Sequence, residues 1–325
     1  MPLAFSSAEE LARCEEVDLV VVTVRVPQHL ELIRPALEAG KMVFSEWPLG
    51  ADLAQAEELA DLAHRRGGVL TAVGLQVRSA PPLRYLRDLV AEGYVGRVLS
   101  TSMLGSGGYW GATYDDSHAY LLDVTSGATL LSIPFGHSVD VLAMVLGEFR
   151  EVSAHIENLR PEVIHVTSGA VAAKSAEDQI AVTGLLESGA VAAVHFRGGT
   201  SRATEFHWEI NGTEGDLVVK ADQAQWWWGQ LRLYGARGND GVLTELSVPP
   251  RYQRSLTQWT ERSAEPAYNV AHEYALLRDQ ITGSLAPDTD GVPDFRHAVR
   301  RQGMLERIRE AARTGRKVTL AEQGS

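Results

Sequence analysis

The sequence predicts an α/β protein of two parts, a doubly wound parallel sheet followed by an open antiparallel sheet of α+β type. Three observations predict it. Short apolar runs alternate with amphipathic stretches up to residue 79, strands with short turns dominate residues 149–248, and two helices close the chain. The 325 residues exceed one comfortable core. We expect domains at 1–79 and 80–293, with a closing helix at 294–313 that packs back on the first.

The first elements are predicted to be a helix and a buried strand. Ser7 with Glu10 predicts a capping box that opens a short helix. Asp18–Val24 is a nearly unbroken β-branched run, which is typical of a strand buried on both faces. The next helix ends at Gly40, and Pro35 inside it predicts a kink or a late start.

Two further apolar runs complete a parallel sheet. Residues 42–45 and 69–75 are predicted strands, and the helix between them is expected at 52–66, before Gly67-Gly68. A βαβαβ succession favours parallel strands, because the crossovers return each strand in the same direction.

After residue 80 the pattern changes to longer helices and consecutive strands. Three tryptophans, Trp226–Trp228, are expected to alternate across a strand and to serve sheet packing or a subunit interface. The other predicted elements are a helix from Pro81 to Gly93, a strand near 97–105, a loop at 107–111, an apolar helix at 128–146, a hairpin of 180–186 with 190–196, and helices at 267–282 and 294–312.

Charge and cysteine content exclude several classes of protein. The 42 acidic and 30 basic side chains give a net charge of −12, which repels phosphate backbones, so we expect no nucleic-acid and no membrane partner. The single cysteine, Cys14, cannot form an internal disulfide and fits a reducing compartment. The chain shows neither a signal peptide nor a run of ~18 apolar residues, and we expect a soluble, cytoplasmic protein.

Five sequence blocks occur in a fixed order along the chain. They are AGKMVFSEWPLG at Ala39–Gly50, EGYVGRV at Glu92–Val98, FGHSVDVL at Phe135–Leu142, INGTEGDL at Ile210–Leu217, and the closing stretch Pro293–Val318. Together they resemble the Gfo/Idh/MocA family, in which a Rossmann domain precedes an open-faced antiparallel sheet domain. The resemblance implies NAD or NADP as cofactor, a sugar, polyol or related carbohydrate as substrate, and a homodimer or higher homo-oligomer formed by the sheet domain. An uncovered sheet face also favours such an assembly.

A narrower likeness concerns one branch of that family. The blocks VRVPQH, LQVRSAP, GSGGYWG and FGHSVD, together with Glu-Trp-Pro at residues 46–48, are similar to the fungal galactose-regulon repressor branch. That branch keeps the oxidoreductase fold and resembles a dinucleotide-binding regulator. The likeness implies a sensor as an alternative to a working enzyme.

The family's dinucleotide domain starts with a Gly-x-Gly-x-x-Gly turn, whose amides approach the pyrophosphate. No such turn precedes Val24, and the cluster Gly105–Gly108 lies in the other domain without the spacing. The resemblance therefore implies an N-terminally incomplete Rossmann domain, in which the Asp18–Val24 strand becomes an apolar edge. Two explanations stay open: a fragment or wrong start of a longer protein, which we favour, or a real loss that abandoned dinucleotide binding.

The family's lysine, aspartate and histidine surround the carbon that exchanges hydride. Here Trp47 stands at the lysine position, Ile133 at the aspartate position, and His137 remains. Tryptophan has one N–H donor and no titratable proton. His137 is the predicted acid/base and a substrate-binding group, and the alternative is a helix histidine hydrogen-bonded in the domain interface. We expect no metal site at His137 with Asp140, because no further ligand cluster is visible.

Predicted cofactor-binding residues follow the three strands, since open α/β sheets bind ligands at the carboxyl ends of their strands. They are Val26, Pro27, His29, Glu46, Trp47, Pro48 and Gln76. For Glu46 the alternative is a capping or surface carboxylate, and for His29 a histidine that merely starts a helix.

The predicted substrate residues, besides His137, are Arg78, Tyr109 and Trp110. Arg78 follows the third strand and is expected in the same cleft, with a solvated loop as its alternative. Tyr109 and Trp110 lie on a glycine-flanked loop and are expected to stack on a sugar ring. The alternative for these two residues is simple packing beneath the second sheet.

The sequence leaves three functions open. The first is an NAD(P)-dependent oxidoreductase acting on a carbohydrate, with reduced or no activity. The second is a non-catalytic protein that senses dinucleotide or sugar. The third is a glycosidase or lyase that retains its NAD.

Overall fold

Capping side chains fix the start of three of the described helices. The computed structural model describes residues 3–253, 265–286 and 289–320. The helices are α1 Ala8–Arg13, α2 His29–Glu38, α3 Leu53–Arg65, α4 Pro81–Ala91, α5 Gly136–Leu146, α6 Ala267–Ile281 and α7 Phe295–Thr314. None of the helices in these described ranges is long and apolar enough to cross a membrane.

Strands form a small sheet followed by a large one, as the fold class predicted. The strands of the first are β1 Leu19–Val22, β2 Met42–Glu46 and β3 Thr71–Gly74. The later strands are β4 Val98–Gly107, β5 Thr113–Tyr114, β6 Phe149–Glu157, β7 Glu162–His165, β8 Val171–Ala173, β9 Gln179–Leu186, β10 Val191–Gly198, β11 Phe206–Gly212, β12 Gly215–Ala221, β13 Arg232–Arg237, β14 Thr244–Glu245 and β15 Val318–Thr319.

The helix caps are mostly where the sequence places them. The Ser7 hydroxyl accepts from the Glu10 amide at 3.2 Å, but the Glu10 carboxylate accepts from Ser6, so only half of the capping box forms. Asp52 caps α3 by accepting from the Gln55 amide at 2.9 Å. The late start expected from Pro35 is wrong, since α2 already begins at His29.

The first sheet is parallel, in the order β1-β2-β3. One face, with Val20, Val43 and Val73, is buried in the main core. On the other face α6 covers Phe44 but leaves Val21, its register partner, 42% exposed. The prediction that Asp18–Val24 is buried on both faces is therefore wrong, because on this face of β1 only Leu19 packs against the cluster that includes α6.

The second sheet is mixed, in the order β14-β13-β12-β11-β4-β10-β9-β6-β15. The predicted hairpin of β9 and β10 is confirmed by antiparallel pairing of Val182 with Val194. The expectation of a purely antiparallel sheet needs one correction, since β4 and β10 pair in parallel. These strands are joined through α5 and further strands rather than by a tight turn, and a long crossover permits parallel pairing. A separate small sheet has the order β5-β7-β8.

Two segments at the junction of the sheets differ from the prediction. The expected helix at 128–146 consists of a π-helical turn, Leu131–Phe135, that leads into α5. Trp226–Trp228 forms a single 3₁₀ turn, so the prediction of a strand there is wrong. Hydrophobic burial overrides alternation, because the turn lets Trp226 stack on Phe206 at 4.0 Å and Trp227 face α5.

Helix α7 joins the two sheets. Asp294 caps it through the His297 amide at 2.8 Å. It packs against α3 and β3 on one side and β6 on the other. The Gln302 amide donates to the carbonyls of Gly50 and Asp52. The small sheet is thereby attached to the large one at the edge where β2 ends.

Candidate functional site

The segment after β2 is built into the core. Trp47, which is 4% exposed, donates its indole N–H to the Ser132 carbonyl at 2.6 Å. Its ring lies so close to Gly136 that a Cβ there would approach Nε1 to 2.9 Å. The Trp47-Pro48 peptide is cis. The only hydrogen-bond donor of Trp47 is thus committed to the π-helical turn, and the side chain connects β2 to α5.

His29 is also committed to the backbone. Nδ1 lies 3.0 Å from the Pro48 carbonyl and Nε2 lies 3.1 Å from the Val24 carbonyl. Burial lowers the pKa of His29, although both carbonyls act in the opposite direction. The residue has no exposed surface, so it holds the loops after β1 and β2 together and does not border the cleft.

His137 is sealed in the interior. It is 3% exposed, and its ring stacks on Trp227 with centroids 5.5 Å apart. Its Nδ1 finds no hydrogen-bond partner within the described part of the chain. Burial lowers the pKa of His137 to about 4, against a smaller opposite effect of Asp140. The imidazole is therefore neutral near pH 7.

Asp140 is the centre of a buried ion network. It accepts from Arg78 at 3.1 Å, from His297 at 2.6 Å and from Arg301 at 3.2 Å. Arg301 also forms a bidentate salt bridge with Glu148, with hydrogen bonds of 2.8 and 2.9 Å. Burial alone would raise the pKa of Asp140, but the three basic partners hold it well below its usual range. Arg78, predicted to bind substrate, is occupied by this network.

A second pair of carboxyl groups lies at the ends of β2 and β3. Glu46 is half-buried, and burial raises its pKa to about 7. Its Oε2 lies against Gly74, where a Cβ would approach it to 2.8 Å. Glu273 of α6 is 1% exposed, and burial together with Glu46 raises its pKa well above the usual range. Sequence reasoning missed Glu273, since a glutamate within a helix normally indicates a solvated face.

An open cleft lies beyond β1, where the predicted cofactor residues follow the strand. It is lined by Thr23, Val24, Arg25, Pro27, Gln28 and Tyr120. Pro27 was predicted here, whereas Val26 is buried in the core. Sequence reasoning missed Arg25 and Tyr120, whose guanidinium and ring lie 5.0 Å apart. Tyr120 comes from a loop about a hundred residues away, which no local pattern connects to β1.

Aromatic rings extend from this region to His137. Tyr109 stacks on His118 at 4.1 Å and contacts Trp110 and Trp228 edge-on at 6.4 and 6.5 Å. Trp228 in turn contacts Trp227 at 5.8 Å. Tyr109 is half-buried and Trp110 is buried, so the two predicted substrate residues differ in what they can offer to a ligand.

The structure also accounts for Gln76 and for the glycine cluster Gly105–Gly108. Gln76 begins the turn after β3, is buried, and its Oε1 lacks a hydrogen-bond partner among the residues described. The glycine cluster has a packing reason, since a Cβ at Gly105 would collide with the Phe196 ring and one at Gly107 with Leu130. Those glycines serve contact between β4 and the core.

The fold is that of a Rossmann-like parallel sheet followed by a larger, mixed sheet domain. A sequence profile described as an oxidoreductase family with an NAD-binding Rossmann fold matches residues 1–74, and one described as the C-terminal domain of Gal80p matches residues 81–221. The chain belongs to the Gfo/Idh/MocA family, with a Gal80-like second domain.

Two curated relatives and one solved structure illustrate the range of that family. The galactose/lactose metabolism regulatory protein GAL80 of Kluyveromyces lactis is 32% identical over 237 residues, which are 67% of this chain and 51% of that protein. The match thus spans about half the length of that relative. The dehydrogenase aclE of Aspergillus oryzae is 29% identical over 96% of this chain and 80% of its own. The crystal structure of the transcriptional regulator Gal80p from K. lactis superimposes with a TM-score of 0.85 at 25% identity, covering 98% of this chain and 78% of that one.

Proposed function

We propose that this chain binds a nicotinamide dinucleotide and a sugar, polyol or related carbohydrate, and performs little or no hydride transfer. The observation that carries the proposal is the Trp47 indole bound to the Ser132 carbonyl at 2.6 Å. The family places a lysine at this position to contact the reacting oxygen. A side chain whose only donor is committed to the backbone cannot replace it.

The other proton-handling groups are also unsuited to hydride transfer. Oxidising an alcohol requires a base that removes the hydroxyl proton, and a base works best when its pKa is near the working pH. His137 is sealed, and its pKa of about 4 leaves it a weak base. Ile133 carries no polar group, and Arg78 is bound to Asp140.

Binding, by contrast, has support at the strand ends. The cleft beside Arg25 and the ring of Tyr109 offer a cation and an aromatic face, and aromatic faces suit the apolar face of a pyranose. The buried, unpartnered Oε1 of Gln76 suits an amide donor such as the carboxamide of nicotinamide. These residues fit the nicotinamide end of the cofactor, and the described residues contain no glycine-rich turn for its pyrophosphate. When bound, the nicotinamide ring would supply the hydride acceptor or donor.

A working oxidoreductase is the second candidate, and Glu46 favours it. Its carboxyl group lies at the end of β2 and is half-buried, and a pKa of about 7 suits proton exchange near neutrality. The similarity to the Aspergillus dehydrogenase extends over nearly the whole chain. In this case Glu46, rather than His137, would accept the substrate proton.

One experiment separates the two candidates. Tryptophan fluorescence and calorimetry measure binding of NAD, NADP and a carbohydrate panel, and nicotinamide absorbance measures turnover. We expect saturable binding with turnover far below about 1 s⁻¹, the low end of ordinary enzymes. Turnover at enzyme-like rates that Glu46→Gln abolishes would establish the second candidate. Absence of dinucleotide and sugar binding would reject both.

A double substitution tests the reason for low activity. Trp47→Lys with Ile133→Asp supplies the family's two polar groups, and we expect turnover to rise by about tenfold or more, since one positioned acid or base contributes roughly 10²–10⁴ in rate. Val242→Lys with Val124→Asp is the matched control, since it adds the same charges at exposed positions outside the proposed site. A rise in the control alone, or in neither, contradicts the explanation.

We also propose that the uncovered face of the large sheet forms a homodimer. That face presents small and apolar side chains, among them Ala181, Ala193 and Val191, which are exposed. A large uncovered sheet face is normally covered by a partner. Light scattering should give twice the mass of one chain, and Ala193→Glu should reduce it to one. A monomeric mass for the unaltered chain contradicts the proposal.

A further inference from the structure

Two carboxyl groups meet at the edge between β2 and β3, under α6. The ring of Tyr274 stacks on Phe44 at 4.9 Å, and Leu276 and Leu277 pack on the same face of the sheet. This contact fixes α6 so that Glu273 points into the interior beside Glu46. The pair lies at the carboxyl ends of parallel strands, the edge at which open α/β sheets hold ligands.

Glu273 has few groups near it that stabilise a negative charge. Neither of its oxygens has a hydrogen-bond partner among the residues described. The Leu75 amide lowers the pKa of Glu273, but burial and Glu46 raise it with larger effects, and that amide also donates to the Val73 carbonyl at 2.8 Å. A buried carboxylate without a partner costs several kcal/mol or more, on the order given for unpaired ions, so the group stays protonated until a positive charge arrives.

The groups that face Glu273 do not provide that positive charge. They are Glu46 from β2, Arg78 from the turn after β3, Asp140 from α5 and Tyr274 from α6. Arg78 and Asp140 are paired at 3.1 Å and shift the pKa of Glu273 in opposite directions. Burial raises the pKa of Tyr274 to about 12, and the two glutamates contribute a smaller part of that rise. The surroundings therefore favour an added cation.

A second, independent observation points to a ligand at the same edge. The side-chain oxygen of Gln76 is buried and has no hydrogen-bond partner in the described ranges. Gln76 directly follows Leu75, whose amide lies beside Glu273. Buried polar atoms in a native protein are normally paired, so unpaired acceptors from two separate elements indicate an absent donor or cation.

We propose that Glu46 and Glu273 select the oxidised nicotinamide ring over the reduced one. The oxidised ring carries a positive charge and the reduced ring is neutral, so only the first gains from an ionised carboxyl pair. This inference rests on the proposed function, because it assigns a specificity to the same cofactor site. The coupled step is a proton release: one O–H bond of the pair breaks, the proton goes to solvent, and no electron moves.

Proton release makes the selectivity depend on pH. Below the pKa of the pair, the affinity for the oxidised ring should rise about tenfold for each pH unit, because one proton leaves for each ring bound. The affinity for the reduced ring should stay constant, since its binding needs no ionised carboxyl. A protein with this property responds to the redox state of the nicotinamide pool.

Calorimetry on the full chain tests the proposal with oxidised and reduced nicotinamide mononucleotide, and with NAD and NADH, at pH 6, 7 and 8. Two buffers of different ionisation enthalpy count the protons released. We expect tighter binding of the oxidised forms, by tenfold or more at pH 8, with up to one proton released. Glu273→Gln and Glu46→Gln should each reduce the preference and the proton count, whereas Glu58→Gln on α3, whose side chain is 42% exposed, should retain both.

The outcomes distinguish the inference from the function on which it rests. Equal affinity for the two redox forms, or a preference that survives both glutamine variants, overturns the inference and leaves cofactor binding intact. Binding of neither form at any pH overturns the proposed function and the inference together. The pH series on the unaltered chain needs no variant, so misfolding of Glu273→Gln cannot obscure the result.

Discussion

Two buried carboxylates at the junction of the sheets have opposite surroundings. Asp140 and Glu273 are 0% and 1% exposed, and burial raises the pKa of each. Asp140 accepts from Arg78, His297 and Arg301, so its pKa lies well below the usual range. Glu273 has no hydrogen-bonding side chain among the described residues, and its pKa lies well above. Partners, not burial, decide which form of a buried acid is stable.

Under the proposed function, this difference distinguishes a structural carboxylate from one that takes part in ligand binding. The partners of Asp140 come from the turn after β3 and from α7, so the network fastens three segments of the chain. A group whose hydrogen bonds are complete has nothing left for a ligand. Glu273 and Gln76 retain oxygens that have no hydrogen-bond partner among the described residues, and the proposal assigns these atoms to the ligand.

The largest predicted effect comes from breaking the Asp140 network. Asp140→Asn removes the carboxylate that Arg78, His297 and Arg301 share and leaves Arg301 paired with Glu148 alone, and we expect a loss of about 3–5 kcal/mol in the free energy of unfolding. Urea denaturation at pH 7 measures it. Glu58→Gln breaks the exposed pair with Arg34 and should cost less than about 1 kcal/mol. Equal losses in the two variants contradict the comparison.

Most of the fold was predictable because its signals are local. The β-branched run of β1 and the capping residues Ser7 and Asp52 act over a few neighbouring residues. Trp226–Trp228 was predicted wrongly, since three aromatic residues fit a strand as well as a turn and only distant contacts decide. The exposed face of β1 was missed because it depends on how far α6 extends.

The site was less predictable, since its chemistry depends on distant pairings. Family motifs pointed to Glu46 and His137, and both lie at the junction. They could not show that Arg301, 161 residues from Asp140, joins the network. They gave no sign that Glu273, on α6, lies near Glu46. Burial and missing partners are properties of the folded chain alone.

His137 tests how a buried histidine changes the stability of the fold at acidic pH. Its pKa falls from 6.5 to about 4 on folding, so the unfolded chain takes up a proton first as the pH drops. The stability it contributes is present above pH 6.5 and is lost between 6.5 and 4, by up to about 3 kcal/mol. His137→Phe keeps the stack on Trp227 and removes this loss. Denaturation between pH 4 and 8 should show a flatter profile for the variant, and parallel profiles contradict the assignment.

Trp47 offers a test of a satisfied group. Trp47→Phe removes the hydrogen bond to the Ser132 carbonyl and leaves a space against Gly136, and we expect a loss of about 2 kcal/mol. Thermal unfolding measures it. Trp228→Phe is the matched control, because Trp228 is only half-buried and should cost less. If Trp47→Phe is neutral while binding of the dinucleotide is lost, Trp47 is a cofactor-binding residue, as the sequence predicts.

The smallest expected effect is a gain in the free energy of unfolding, not a loss, and it comes from Glu273→Gln. Glu273 has a raised pKa in the folded chain, so its contribution to stability is present below the unfolded value near 4.5 and is lost as the pH rises through the folded value. A glutamine at this position does not titrate. Glu273→Gln should therefore match the parent at pH 5 and exceed it by roughly 1 kcal/mol at pH 8, or about 2 °C in Tm. The same exchange of acid for amide then destabilises the chain at Asp140 and stabilises it at Glu273. If calorimetric melts show both variants weakened equally at pH 8, Glu273 has partners that offset its burial, and its assignment to ligand selection fails.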